Sequence, residues 1–260
     1  MCVSINFQFS TLNFQLKKQT INLTKQTIMK KIVLIASAMV ETVAPLHAEI
    51  ETSVSADVVS EYIFRGSKCG GAAIQPTLGV SAAGFEASLW GTVGIANASD
   101  TKEFDLTLSY SIEGLSLGVT DYWFSSLDGG DPYGRYFKYE EKATNHIFEA
   151  FVGYDFGFAS ISWYTNFFGN DFKANGDRAY SSYCELAAPF SLGGLDWSAT
   201  LGFVPMETPL YFTEGFAVTN ISLAAEKTLE ISSSFSLPVS AGFTFNPCSD
   251  AAFFVLGLSF

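Results

Sequence analysis

The sequence predicts an all-β chain closed into an antiparallel transmembrane barrel of about twelve strands. Three observations predict it: apolar and polar residues alternate, turn lengths sort by parity, and the composition is rich in Phe and Gly but poor in charge. The alternation is clearest in three segments. Phe85, Ala87, Leu89, Gly91, Val93 and Ile95 interleave with Glu86, Ser88, Trp90, Thr92 and Gly94. Phe104, Leu106, Leu108, Tyr110 and Ile112 interleave with Asp105, Thr107, Ser109 and Ser111. Leu195, Trp197, Ala199, Leu201 and Phe203 interleave with Asp196, Ser198, Thr200 and Gly202. A period of two places each set on its own face of a strand.

Taken in order, strands are expected to begin near Thr52, Ile74, Phe85, Phe104, Leu115, Asn145, Phe158, Ala179, Leu195, Phe216, Ile231 and Ala251. Each is about ten residues long, the length that crosses a bilayer at a tilt. Every second connection is tight: Ala83-Gly84, Glu113-Gly114, Asp155-Phe156-Gly157, 191–194 and 227–230. The others, at 67–73, 97–102, 126–144, 169–178, 205–215 and 246–250, are longer and polar. A soluble Greek-key sandwich has no reason to sort its loops this way, whereas an outer-membrane barrel has short periplasmic turns and long external loops.

Strand ends carry the aromatics expected of interfacial girdles. Tyr62, Phe64, Trp123, Phe167, Phe203, Phe216 and Phe243 fall near the external rim; Tyr110, Tyr154, Phe158, Phe190, Trp197 and Phe260 fall near the other. The last strand places Ala252, Phe254, Leu256, Leu258 and the terminal Phe260 on one face. It resembles the signal by which the barrel-assembly machinery recognises bacterial outer-membrane barrels.

Of 260 residues, 48% are hydrophobic and only 15% charged, which excludes a disordered chain. Fourteen Lys and Arg against 26 Asp and Glu, a net charge of −12, exclude a basic nucleic-acid-binding face. No uncharged apolar run long enough for a transmembrane helix lies beyond the N-terminal region. There, Met29-Lys30-Lys31 and the apolar stretch 32–40 lead to Ala48, which reads as a signal peptide over 29–48. Residues 1–28 read as an extension upstream of the true start, and 49–260 as the barrel. Cleavage after Ala48 leaves 25 acids and 9 bases, a net charge of −16.

With apolar residues turned to lipid, the alternate set lines the lumen: Asp57, Glu61, Arg65, Gln75, Glu86, Asp105, Glu149, Glu185 and Asp196. Seven acids in a confined channel raise the local cation concentration. Alternatively, Arg65 is buried among Asp57, Glu61 and Glu86 in a satisfied network that plugs the barrel. Asp121 breaks the pattern, because Leu115, Leu117 and Val119 would send it into lipid; a β-bulge or an early strand end is expected there. Cys69 and Cys248 fall in the first and last external loops, which become neighbours when strands one and twelve pair. A Cys69–Cys248 disulfide is therefore expected, while Cys184 faces lipid by parity.

The first three strands resemble the TorF-type outer-membrane porins, a family of unknown substrate. The likeness sits in Val59-Ser60-Glu61-Tyr62-Ile63-Phe64-Arg65-Gly66, in Ile74-Gln75-Pro76 and in Gly84-Phe85-Glu86-Ala87-Ser88-Leu89-Trp90-Gly91-Thr92. Glu185-Leu186 matches a later Glu-Leu pair, and Pro76 stands where the family more often has Gly. The resemblance covers about a fifth of the chain after Ala48 and implies a barrel with a transport role.

Catalytic chemistry is poorly served. His146 is the only His after Ala48, with Asp128 and Asp131 in the adjoining loop, and a solvated loop His is the expectation. CxxC, HExxH and phosphate-loop patterns are absent, so no enzyme activity, cofactor or metal is expected. The sequence thus predicts a bacterial outer-membrane protein passing small polar solutes, cations favoured over anions. The alternative is a plugged barrel that displays its external loops. Its expected partners are outer-membrane lipid, the assembly machinery at the Phe260 strand and small polar solutes.

Overall fold

A computed structural model of the chain describes residues 49–97, 100, 102–125 and 135–260. The segments 1–28 and 29–48 lie outside the described residues, as do Asp128 and Asp131. Alternation dictates strands, and twelve of them close into one antiparallel barrel. They are β1 (Glu51–Val59), β4 (Ala73–Ala82), β5 (Phe85–Gly94), β6 (Glu103–Ile112), β7 (Leu115–Phe124) and β8 (His146–Asp155), followed by β9 (Ser160–Gly169), β10 (Ser182–Leu192), β11 (Leu195–Val204), β12 (Ala217–Ser232), β13 (Phe235–Asn246) and β14 (Ala251–Ser259). Each strand pairs with its neighbour in the chain, and β1 closes the ring against β14 through Asp57↔Ser259 and Val58↔Leu258. Between β1 and β4 lies a separate hairpin, β2 (Tyr62–Phe64) with β3 (Ser67–Gly70). Among the described residues there is no helix.

Burial is inverted relative to a soluble protein. Val54, Leu78, Leu108, Leu117, Leu223, Phe243, Phe254 and Leu256 are exposed on the outside, while Gln75, Thr92, Asp105, Thr120, Glu149 and Asn166 are buried within. Such an apolar outer wall and polar interior are compatible with an outer-membrane barrel. Tight turns, at 83–84, 113–114, 156–159, 193–194 and 233–234, all fall at the end that holds both chain termini of the barrel. The long connections gather at the other end.

Two boundaries differ from expectation. The turn expected at 227–230 is instead paired strand: β12 runs on to Ser232, with Lys227↔Val239 and Leu229↔Leu237 in register, because alternation persists through its charged residues. The first strand stops at Val59 rather than continuing to Arg65. Residues 60–72 fold back as the β2–β3 hairpin, so Tyr62 and Phe64 leave the rim for the interior.

Candidate functional site

The hairpin turn is built from Arg65 and Gly66, whose φ angles of 49° and 84° are both left-handed. A two-residue type I′ turn needs that pair of conformations, and Gly supplies the second without strain. A Cβ on Gly66 would also strike the Thr219 carbonyl oxygen, so the turn lies against β12 only because the side chain is missing. Asn246 Nδ2 donates to the Gly66 carbonyl at 3.0 Å and pins the turn to β13.

This turn carries Arg65 into the barrel. Its Nη1 and Nη2 donate to the two Glu149 oxygens at 2.6 and 2.8 Å, and Nη1 also donates to Tyr211 Oη at 2.8 Å. The guanidinium lies 4.0 Å from the Tyr164 ring centre, with the Phe64 and Tyr183 rings at 4.6 and 4.7 Å. A bidentate carboxylate pair under aromatic faces suits Arg and not Lys. Gly202 makes room for part of this cage, since a Cβ there would overlap the Tyr183 phenol. Tyr211 arrives from the 205–216 connection, and burial pushes its phenol up to about 12 despite the opposing charge of Arg65.

The expected network therefore forms with different partners. Glu61 bonds to Lys68 Nζ at 2.7 Å on the hairpin itself, while Glu86 is exposed near the tight-turn end, away from the guanidinium. Asp57 shares a register row with Gln75, and Gln75 Nε2 reaches Thr92 Oγ1 at 3.5 Å. Glu185 accepts from Tyr183 at 2.9 Å, and Asp196 accepts from Ser191 at 3.0 Å beside the 193–194 turn. Chain order placed Asp57, Glu61 and Glu86 nearest Arg65; the inward fold of the hairpin swung it across to β8 instead.

Sequence reasoning missed Glu103, Tyr122, Asn166 and Tyr211. Glu103 hides at a strand start, beside the polar 97–102 loop. It is 7% exposed and accepts from Tyr62 Oη at 2.9 Å; Asp105, two residues on, is 8% exposed and its Oδ1 has no partner among the described residues. Period-two spacing from Asp105 was the available signal for Glu103. Nothing in a loop sequence marks Tyr211 as a lumen residue.

The hairpin does not fill the barrel. A cavity of about 300 Å³ remains beside it, lined by Glu61, Arg65, Gln75, Asn220, Ser240 and Thr244. Away from it, small side chains such as Ser88, Ser109, Ser116, Ser162 and Ser198 occupy inward register positions.

Cys69 and Cys248 do not form the expected disulfide; both are free thiols. The turn of the inserted hairpin meets the last connection through Gly66 and Asn246, whereas Cys69 sits on β3 beside a cavity that Glu103 and Tyr122 also line. Cys184 keeps its outward parity but is buried, its cross-strand neighbours being Trp163 and Phe203.

On the outer face, Asp121 is resolved by neither a bulge nor an early strand end. Strand β7 runs regularly to Phe124, and Asp121 meets His146 Nδ1 at 2.7 Å. His146 is fully buried rather than solvated, and its Nε2 lies 2.5 Å from the Tyr136 carbonyl oxygen. Tyr139 stacks on the imidazole at 4.3 Å, and Tyr136 packs against Phe104 and Trp123, so the end of the 125–145 connection covers the polar pair. Arg178 to Glu141 at 2.5 Å and Lys142 to the Gly176 carbonyl at 2.7 Å fasten that segment to the next long connection.

A comparison with curated proteins finds no match. Residues 45–241 match the family model described as "Bacterial protein of unknown function (Gcw_chp)". The matched stretch reaches from before β1 into β13 and includes the Arg65 turn, Glu103, Glu149 and Tyr211; covering well over half of the chain, it shows that the protein belongs to the Gcw_chp family.

Proposed function

We propose that the protein is an outer-membrane channel for small polar solutes, favouring cations, with the β2–β3 hairpin acting as a constriction. The observation that carries this reading is the cavity of about 300 Å³ left between the hairpin and the β12–β13 wall. A barrel built only as a scaffold gains nothing from polar space beside its inward hairpin. Selectivity follows from charge: Arg65 is neutralised by Glu149, while Asp57, Glu86, Glu185 and Asp196, at lumen-facing register positions, have no basic partner among the described residues. Carboxylates in a confined lumen attract cations and repel anions. The resemblance to TorF-type porins, which sits in the first arm and turn of the hairpin and in β4 and β5, supports the same reading.

Reconstitution in planar bilayers tests it. Small cation-selective current steps are expected from the wild type, with larger steps from Arg65→Ala, whose hairpin has lost its anchor. Anion preference rules the proposal out. A silent wild type favours a second reading, supported by the Arg65 clamp itself: a plugged barrel displaying its long connections. In that case deleting residues 126–144 abolishes binding to a surface partner.

A further inference from the structure

A second cavity, of about 210 Å³, lies on the opposite side of the hairpin, walled by the rings of Tyr62, Phe64, Tyr122 and Tyr211 and bordered by Glu103 and Asn166. Its chemistry is uneven in a way that specifies an occupant. The walls are aromatic faces and edges, with Phe64 and Tyr122 6.1 Å apart. One Glu103 oxygen is taken by the Tyr62 hydroxyl, and no Lys or Arg bonds to this carboxylate among the described residues. Arg65 borders the space with its charge already matched by both Glu149 oxygens. Asn166 is 1% exposed, and its Nδ2 donates to nothing among the described residues. A buried amide donor without an acceptor is costly unless something enters to accept from it.

Each simple class of ligand fails on one of these counts. An anion faces the Glu103 carboxyl and finds no basic group free, since Arg65 is matched by Glu149. A hydrated inorganic cation loses its water shell to rings that offer little in return. A purely apolar molecule leaves Glu103 and Asn166 unmet. A compact organic ammonium answers all of them: its positive head binds aromatic faces and a carboxylate, as in aromatic cages for quaternary ammonium. A hydroxyl or carbonyl oxygen on the same molecule accepts from Asn166.

We propose that this cavity binds small ammonium compounds, quaternary ones above all, that carry an oxygen acceptor a few bonds from the nitrogen. The site names a solute class for the channel proposed above and rests on that reading for the ligand's route. Binding itself needs no conduction, so a silent bilayer and an empty cavity are separate failures.

The probe is choline, titrated calorimetrically into the full barrel in a maltoside detergent, with 3,3-dimethylbutan-1-ol as its uncharged isostere. Saturable choline binding is expected, about tenfold or more tighter than binding of the isostere, since a desolvated cation–π contact and a carboxylate separate the two. Glu103→Gln keeps the shape, removes the charge and is expected to weaken choline about tenfold while leaving the isostere unchanged. Heat-modifiable migration confirms that this variant has folded, and the isostere comparison on the wild type stands without it. Equal binding of choline and the isostere, absence of choline binding, or a folded Glu103→Gln protein with undiminished choline affinity each overturn the proposal.

Discussion

Arg65 and Glu149 stand 84 residues apart in the chain and meet inside the barrel, where two hydrogen bonds of 2.6 and 2.8 Å join a hairpin tip to the wall strand β8. Both side chains are almost wholly buried, so neither charge has water to fall back on. Breaking such a pair from one side leaves the other charge stranded, at a cost of roughly 3–5 kcal/mol. Arg65→Ala is expected to free the hairpin without opening the barrel. Limited proteolysis should then cut within 60–72 while heat-modifiable migration persists. The Arg65→Ala/Glu149→Gln double variant, with no uncompensated charge, should be less impaired than Arg65→Ala alone.

The orientation of the wall has its own test. Leu256 is exposed on the outer face, whereas Ser240 lines the cavity beside the hairpin. If lipid covers the outside, Leu256→Arg costs about 2–4 kcal/mol near the midplane. Ser240→Arg, by contrast, narrows the lumen and should cost little stability in lipid. Folding equilibria in vesicles compare them; a larger penalty at Ser240 reverses the assignment of faces.

At the covered pair on the outer wall, His146 presents each ring nitrogen to an oxygen that only accepts, Asp121 Oδ1 and the Tyr136 carbonyl. The ring thereby ties β7 to the segment that covers it. His146→Gln or Asp121→Asn should loosen the covering segment and expose 135–144 to protease. A double-mutant cycle between them is expected to show coupling of about 1–3 kcal/mol, against nearly none if the two side chains act independently.

Tyr211 supplies a pH signature. Burial favours the neutral phenol and lifts its folded pKa to about 12, above the ~10 of an unfolded tyrosine. The stabilisation it gives is complete below pH ~10 and is lost as the pH climbs through about 12, because only the unfolded chain ionises easily in that window. Tyrosinate absorbance of the wild type minus that of Tyr211→Phe should rise near pH 12 and stay flat near ~10.

The free thiols are checked chemically. Cys69 and Cys248 are both exposed and unbonded, so an alkylating reagent should label both in the folded protein without prior reduction, while buried Cys184 resists until unfolding. Protection of the first two as a pair would restore the bridge.

Much of the architecture was legible in the sequence by itself. Alternation such as Phe104-Asp105-Leu106 assigns each residue to a face, because a strand offers only two, and the parity of turn lengths orders those strands around a ring. Hence the strand number, and the inward placement of Gln75, Asp105, Glu149 and Glu185, follow from local pattern. What only the tertiary structure decided is who meets whom across the lumen. Alternation carries no information about a chain that leaves the wall, and Arg65-Gly66 reads equally as strand or turn. Once 60–72 turned inward, Arg65 paired with Glu149 instead of Glu61 or Glu86, Tyr211 came in from a connection, and Cys69 was carried away from Cys248. Asp121 found His146 on the outer wall for a related reason. Burial of charge is settled by whichever partner and cover the folded chain brings within reach, and those came from segments distant in sequence.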